Sequence, residues 1–170
     1  GATVNVASTV ERWLIMNQWD SVQARLNING GALNLNANTD IRFNPGNCIG
    51  PGTLTLNSGS LTGGATSVID LDRSVNNGAV NNTVNLNGGT LTIGQFISGI
   101  AAGTRTINFN GTTVKSAAAG TFITATAATA ANVKAGGAII DSNGFDITIA
   151  KALTADATST GGRLTKLGAG

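Results

Sequence analysis

Apolar and polar residues alternate in short runs along most of this chain, and the runs end in small, turn-forming residues. Four runs are variations on one phrase: Leu26–Leu33, Leu54–Leu61, Val84–Leu91 and Ile107–Val114. Each reads apolar, polar, apolar, Asn, a small turn pair, a small residue, apolar, and the starts are separated by 28, 30 and 23 residues. A period of two puts alternate side chains on opposite faces of a strand, so Leu26 and Ile28 point one way and Asn27 and Asn29 the other. Asn-Gly supplies the positive-φ residues of a sharp corner. The same alternation joins Leu33 to Leu35, Ile41 to Phe43, Ile69 to Leu71, Leu91 to Ile93, Phe122 to Thr124 and Ile147 to Ile149.

Three folds use short strands and many corners. A β-sandwich needs hairpins every 8 to 12 residues or so, and a propeller needs a longer, more regular repeat. A parallel β-solenoid accepts a loose period, because the chain between strands varies from coil to coil. Stacked coils also place like residues above one another, so Asn and Thr rows satisfy their hydrogen bonds between coils. We therefore expect an all-β chain, a single β-solenoid segment over 1–170 of roughly seven or eight coils. At about 4.8 Å per coil it would be a rod of roughly 35–40 Å. The expected core is Leu26, Ile28, Leu54, Leu56, Val84, Leu86, Ile107, Phe109, Ile147 and Ile149.

Residues 8–26 fit two descriptions. Ser8 and Glu11 have capping-box spacing, and Val10, Trp13, Leu14 and Asn17 fall near one helical face. Alternatively Trp13–Met16 is a strand with Trp19 at a corner, which is the reading we favour. In either case residues 1–25 are expected to form an N-terminal cap or an irregular first coil.

Composition narrows the chemistry. The 170 residues include 24 Gly, 24 Ala, 23 Thr and 20 Asn, but no His and a single Cys. The commonest general base and metal ligand is thus missing, as are an internal disulfide and a cysteine-built zinc site. Ten Lys plus Arg against eight Asp plus Glu give a net charge of +2, too thin for a nucleic-acid footprint. No run of about eighteen apolar residues occurs, so no membrane-spanning helix is expected. No cofactor is implied.

Asp70 and Asp72, with Arg73 adjacent, are the one grouping that suggests catalysis or a weak cation site. Alternation places both carboxylates on one outer face, where they would hold Ca²⁺ or act as an acid/base pair in a polysaccharide-cleaving β-helix enzyme. The plainer reading is a solvated strand with a local ion pair worth under about 1 kcal/mol. Asp141 and Asp146 flank an ordinary Asn-Gly turn. Cys48, without a His to activate it, reads as a small buried residue. Trp13 and Trp19 offer flat faces that suit a sugar ring, although packing at a cap is the plainer use.

The C-terminal third carries Gly161-Gly162-Arg163-Leu164-Thr165-Lys166-Leu167-Gly168-Ala169-Gly170. Within it Gly162, Leu164, Thr165, Lys166, Gly168 and Gly170 resemble the Gly-Gly-x-Leu-Thr-Lys-x-Gly-x-Gly phrase of the autotransporter-associated β-strand repeat proteins. The Asn-Gly-Gly-x-Leu phrases at 29–33 and 87–91 look like upstream repeats of that family. The resemblance implies a right-handed parallel β-helix exported to a bacterial surface, mainly structural or adhesive, with no catalytic residues.

The expectation is therefore a non-catalytic extracellular or cell-surface element: a stiff spacer, coat or filament component. An adhesin or glycan-binding passenger is the alternative and a carbohydrate-active enzyme the third. The chain begins at Gly1 and stops within the repeat phrase, so it reads as part of a longer protein. The expected partners are a second copy stacked end to end, or further coils of the same chain, with a surface glycan as another candidate. Bare sheet edges at a solenoid's ends pair readily with matching edges.

Overall fold

The computed structural model describes residues 1–6, 12–16, 22–36, 38–46, 50–73, 80–99, 103–159 and 161–170. The chain is all-β, and every strand pairing is parallel. In chain order the strands are β1 (Thr3–Val6), β2 (Arg12–Met16), β3 (Ala24–Leu35), β4 (Thr39–Phe43), β5 (Gly52–Thr62), β6 (Val68–Asp70), β7 (Asn81–Leu86), β8 (Thr90–Ile93), β9 (Gln95–Ile97), β10 (Thr104–Phe109), β11 (Thr113–Ser116), β12 (Gly120–Ile123), β13 (Ala130–Val133), β14 (Ala138–Asp141), β15 (Ile147–Ile149), β16 (Thr154–Ala155) and β17 (Leu164–Leu167).

They wind into a three-sided β-solenoid. The first face stacks the N-terminal halves of β3 and β5, then β7, β10, β13 and β16. The second stacks β1, the C-terminal halves of β3 and β5, then β8, β11, β14 and β17. The third is the six-stranded sheet of β2, β4, β6, β9, β12 and β15. From β3 to β15 the chain completes five turns, with β1–β2 and β16–β17 as partial turns at the two ends. This is fewer than the seven or eight coils expected. Residues one turn apart are Leu26 and Leu54, then Val84, then Ile107, then Ala131, so each turn takes more chain than a tight coil does. The extra chain lies mostly at the corner between the third and first faces, as between Asp70 and Asn81.

Alternation decides what fills the interior. Leu54, Leu56, Val84, Leu86, Ile107 and Phe109 are buried, as the period of two requires, and Ile28 nearly so. Leu26, Ile147 and Ile149 are only partly buried, because end turns lack a covering coil on one side. The third face adds Phe43, Phe96 and Phe122, the last two meeting edge to face with centroids 5.7 Å apart at 76°. In β12 the alternation breaks: a register shift between Thr121 and Ile123 lets Phe122 and Ile123 both turn inward. Residues 12–16 are a strand rather than a helix, with Leu14 above Ile41 and Met16 above Phe43. Ser8, Val10, Glu11, Asn17, Trp19 and Cys48 lie outside the described residues.

The corner between the first and second faces explains the Asn-Gly phrase. Gly59 and Gly89 have φ of 82° and 73°, in the left-handed region. A Cβ on Gly89 would run into the carbonyl oxygen of Gly59, and one on Gly59 into that of Gly31. The glycines thus form a column in which successive backbones touch.

Asparagine amides run beside them. Asn57 Nδ2 donates to Asn29 Oδ1 at 2.7 Å, Asn87 to Asn57 at 2.8 Å, and Asn110 to Asn87 at 3.4 Å. The Gly136 N–H continues the row by donating to Asn110 Oδ1. A second row climbs the first face, from Asn132 to Asn108 at 3.0 Å and from Asn108 to Asn85 at 2.8 Å. Outward polar side chains therefore join adjacent coils directly, which is the satisfaction expected for stacked amides.

Candidate functional sites

The acidic pair is not what its spacing suggests. Asp70 occupies the outward row of the third face, in register with Arg42 and Ile97, yet its exposure is 0%. Residues just after β6 and, in the next coil, just after β9 enclose it: the N–H groups of Gly99 and Asp72 donate to Oδ1 at 3.1 and 3.4 Å, and Arg73 Nη1 donates to Oδ2 at 3.4 Å. Burial pushes its carboxyl above the usual range, and those donors pull the other way. Asp72 lies beyond the strand end and pairs with Arg105, with Oδ2 and Nη1 3.9 Å apart and both side chains buried. The two carboxylates therefore do not share an outer face, and neither reaches solvent. The expected solvated strand, or open cation site, is replaced by two separate ion pairs, one closed by the exposed Arg73 and the other buried. Among the described residues no three His, Cys, Asp or Glu side chains converge as metal ligands. Asp141, at the other candidate turn, accepts the Asn143 N–H at 2.8 Å and lies 3.4 Å from Lys115.

Sequence reasoning missed two polar residues turned inward here. Asn82 and Arg105 stand in register one turn apart, at 1% and 3% exposure. Asn82 Nδ2 donates to the Leu71 carbonyl and its Oδ1 accepts from Gly52 N–H, each at 2.8 Å. Arg105 donates to the Gly103 carbonyl at 3.2 Å. The signal was available: counting back by twos from Leu86 reaches Asn82, and from Phe109 reaches Arg105.

Trp13 stands on the outward row of β2 with 48% exposure. The Arg42 guanidinium carbon lies 4.3 Å from its ring centroid. Asp40 holds that guanidinium in place, accepting from Nε at 3.1 Å and Nη2 at 2.7 Å. The ring is thus held by Arg42 and half exposed.

The two ends differ from the middle. At the N-terminal end, β1 supplies the second face and β2 the third, while the outermost strand of the first face is β3 itself. The gap is an apolar cleft of about 340 Å³ lined chiefly by Val4, Val6, Leu14, Leu26, Ile28 and Leu33. At the C-terminal end, Lys166 stands in the column of Leu61, Leu91, Val114 and Ile140 and bonds the Gly168 carbonyl at 2.5 Å. Thr165 pairs above Ile139. Gly162 packs where a Cβ would strike the Lys134 carbonyl, and Gly168 and Gly170 have φ of 75° and 108°. The repeat-like residues 162–170 thus build the last strand and its corners and bring no reactive groups together. Among the described residues the exposed large hydrophobics are Val4, Trp13, Val22, Leu164 and Leu167, all in end turns.

Compared with models of known protein families, with characterised proteins and with solved structures, the chain matches none. Among the described residues no helix is long and apolar enough to cross a membrane.

Proposed function

We propose that the chain is a non-catalytic structural element of a bacterial surface or extracellular assembly, a stiff β-solenoid used as spacer, coat or filament unit. The supporting observation is the asparagine row from Asn29 to Gly136, in which outward polar groups bond the next coil. A surface organised this way resists extension and leaves few backbone or side-chain groups poised for a ligand. The charges near this corner serve the same end: Asp70 pairs with Arg73, and buried Asp72 pairs with buried Arg105. The likeness of residues 161–170 to autotransporter-associated repeats supports the extracellular location. Immunogold labelling of producing cells, with protease shaving of intact cells, tests the reading. Label on the outer surface or on shed fibres is expected, and label confined to the cytoplasm would overturn it.

An adhesin is the second reading, favoured by Trp13, whose ring is half exposed and held by Arg42, which Asp40 holds in turn. Aromatic faces of this kind suit the C–H face of a sugar. Binding to a polysaccharide panel that disappears in Trp13→Ala, with folding unchanged, would move the weight to this reading.

A further inference from the structure

We propose that the Asn143-Gly144 turn is a site of spontaneous deamidation in the folded chain, and that bonds between coils hold the same chemistry off at Asn87-Gly88 and Asn110-Gly111. The modification follows from local geometry and is independent of whether the chain serves as spacer or adhesin.

Five Asn-Gly pairs occur in the chain, beginning at Asn29, Asn77, Asn87, Asn110 and Asn143, and Asn77 lies outside the described residues. Such a pair is labile because glycine has no Cβ to hinder its backbone nitrogen. That nitrogen, on losing its proton, attacks the side-chain carbonyl carbon of the asparagine. A new N–C bond closes a cyclic imide, and the carboxamide nitrogen takes up a proton and leaves as ammonia. Water then opens either ring carbonyl, giving aspartate or isoaspartate, the latter with an added carbon in the main chain. The reaction therefore needs a glycine N–H free of acceptors and an asparagine side chain free to turn onto it.

In the amide row neither condition is met. Asn87 Nδ2 donates to Asn57 at 2.8 Å and its Oδ1 accepts from Asn110 at 3.4 Å, so the side chain is held from both sides. The Gly88 N–H donates to Thr112 Oγ1 at 2.9 Å, and the same hydroxyl donates to the Gly88 carbonyl at 2.9 Å. Thr112 is 1% exposed, so water does not compete for this clamp. Asn110 repeats the arrangement: its Oδ1 accepts from the Gly136 N–H at 2.9 Å, and the Gly111 N–H donates to the Gly137 carbonyl at 2.9 Å. At Asn143 the side chain has one anchor, Nδ2 donating to the Ser116 carbonyl at 3.1 Å, but among the described residues the Gly144 N–H meets no acceptor. Nothing packs over that peptide, since a Cβ on Gly144 would meet no atom within 4 Å. Exposure does not separate the sites, because Asn87 and Asn143 are both exposed. The bonding of the glycine nitrogen does. Conversion at Asn143 removes the bond to Ser116 and adds a carboxylate beside Asp141, whose Oδ1 accepts the Asn143 N–H. The change thus falls on a corner between the second and third faces, away from the amide row.

Peptide mapping by mass spectrometry tests this on the folded chain held in warm, mildly alkaline buffer, with a sample unfolded in guanidinium as reference. Deamidation is read as the mass gain of carboxyl over carboxamide, fragment ions locate each site, and isoaspartate is read by methyltransferase labelling. In guanidinium Asn87, Asn110 and Asn143 should convert at comparable rates. In the folded chain Asn143 should convert at least about tenfold faster than Asn87 or Asn110, which react only after local opening. Thr112→Val removes the clamping hydroxyl and keeps a branched side chain. With its native spectrum confirmed by circular dichroism, it should speed conversion at Asn87 severalfold and leave Asn143 unchanged. A folded wild-type chain in which Asn143 converts no faster than Asn87 and Asn110 overturns the proposal without recourse to any variant. A folded Thr112→Val chain with Asn87 still at its wild-type rate overturns the protection assigned to that bond.

Discussion

Replacing Asn82 by alanine removes a buried carboxamide that ties the long corner after β6 to the strands above and below it. The side chain is 1% exposed, accepts from Gly52 N–H and donates to the Leu71 carbonyl, each at 2.8 Å. Alanine strands both backbone groups in the interior, and each unsatisfied group costs about 1–3 kcal/mol. A water entering the space of the lost carboxamide would restore part of that. We expect a net loss of about 2–4 kcal/mol. The control is Asn87→Ala, which removes two ladder bonds at 2.8 and 3.4 Å from an exposed row where water replaces them. That should cost about 0.5–1.5 kcal/mol. Urea unfolding followed by circular dichroism reads both; with a slope of ~2 kcal/mol per molar, the Asn82 midpoint falls by about 1–2 M. The reasoning is refuted if Asn82→Ala loses no more stability than Asn87→Ala with the slope unchanged.

Other outcomes follow from the same geometry. Gly89→Ala forces a Cβ at φ 73° against the Gly59 carbonyl, and thermal unfolding should show a loss of more than about 1 kcal/mol. Arg105→Met leaves Asp72 buried without its 3.9 Å partner and should cost about 3–5 kcal/mol, much of it recovered in the double variant with Asp72→Leu, measured by the same denaturation cycle. Asp70 has its carboxyl pKa raised by burial, so the folded chain holds that proton more tightly than the unfolded one. Its contribution to stability is therefore greatest below the ordinary value of 3.8 and declines as pH rises through the raised one. Asp70→Asn should flatten that decline in a series of unfolding midpoints against pH. Asp156 behaves oppositely: hydrogen bonds from Lys134 and Thr158 hold its carboxyl below the ordinary value, so its contribution is lost as the pH falls below about 3.8, and Asp156→Asn should blunt the acid limb.

How much of this was legible in the chain depended on whether the cause was local. The period of two is local, so Leu54, Val84, Ile107 and their neighbours were placed inside from sequence alone. The Asn-Gly corners were legible for the same reason. Counting turns was not, because alternation within a strand says nothing of the length of the corner that follows it. The fate of Asp72 was hidden because its partner Arg105 lies on β10, one turn later. The alternation rule itself placed Asn82 and Arg105 inside, yet their polar character masked a signal that was present. Trp13 was singled out by its residue type, whereas its Arg42 partner follows only from the β2–β4 register, in which Trp13 stands opposite Asp40.

These features make the account one of repetition in a single direction. Glycine corners let coils approach, aliphatic rows fill the inside, and amide rows join the outside, each adding stability coil by coil as nearest-neighbour contacts do.

The most direct test is fibre diffraction from the wild-type chain, concentrated and aligned by drying or shear. The account predicts a reflection near about 4.8 Å along the alignment axis, because coils stack along the solenoid. An aligned sample without that spacing along the axis would contradict the stacked-coil account.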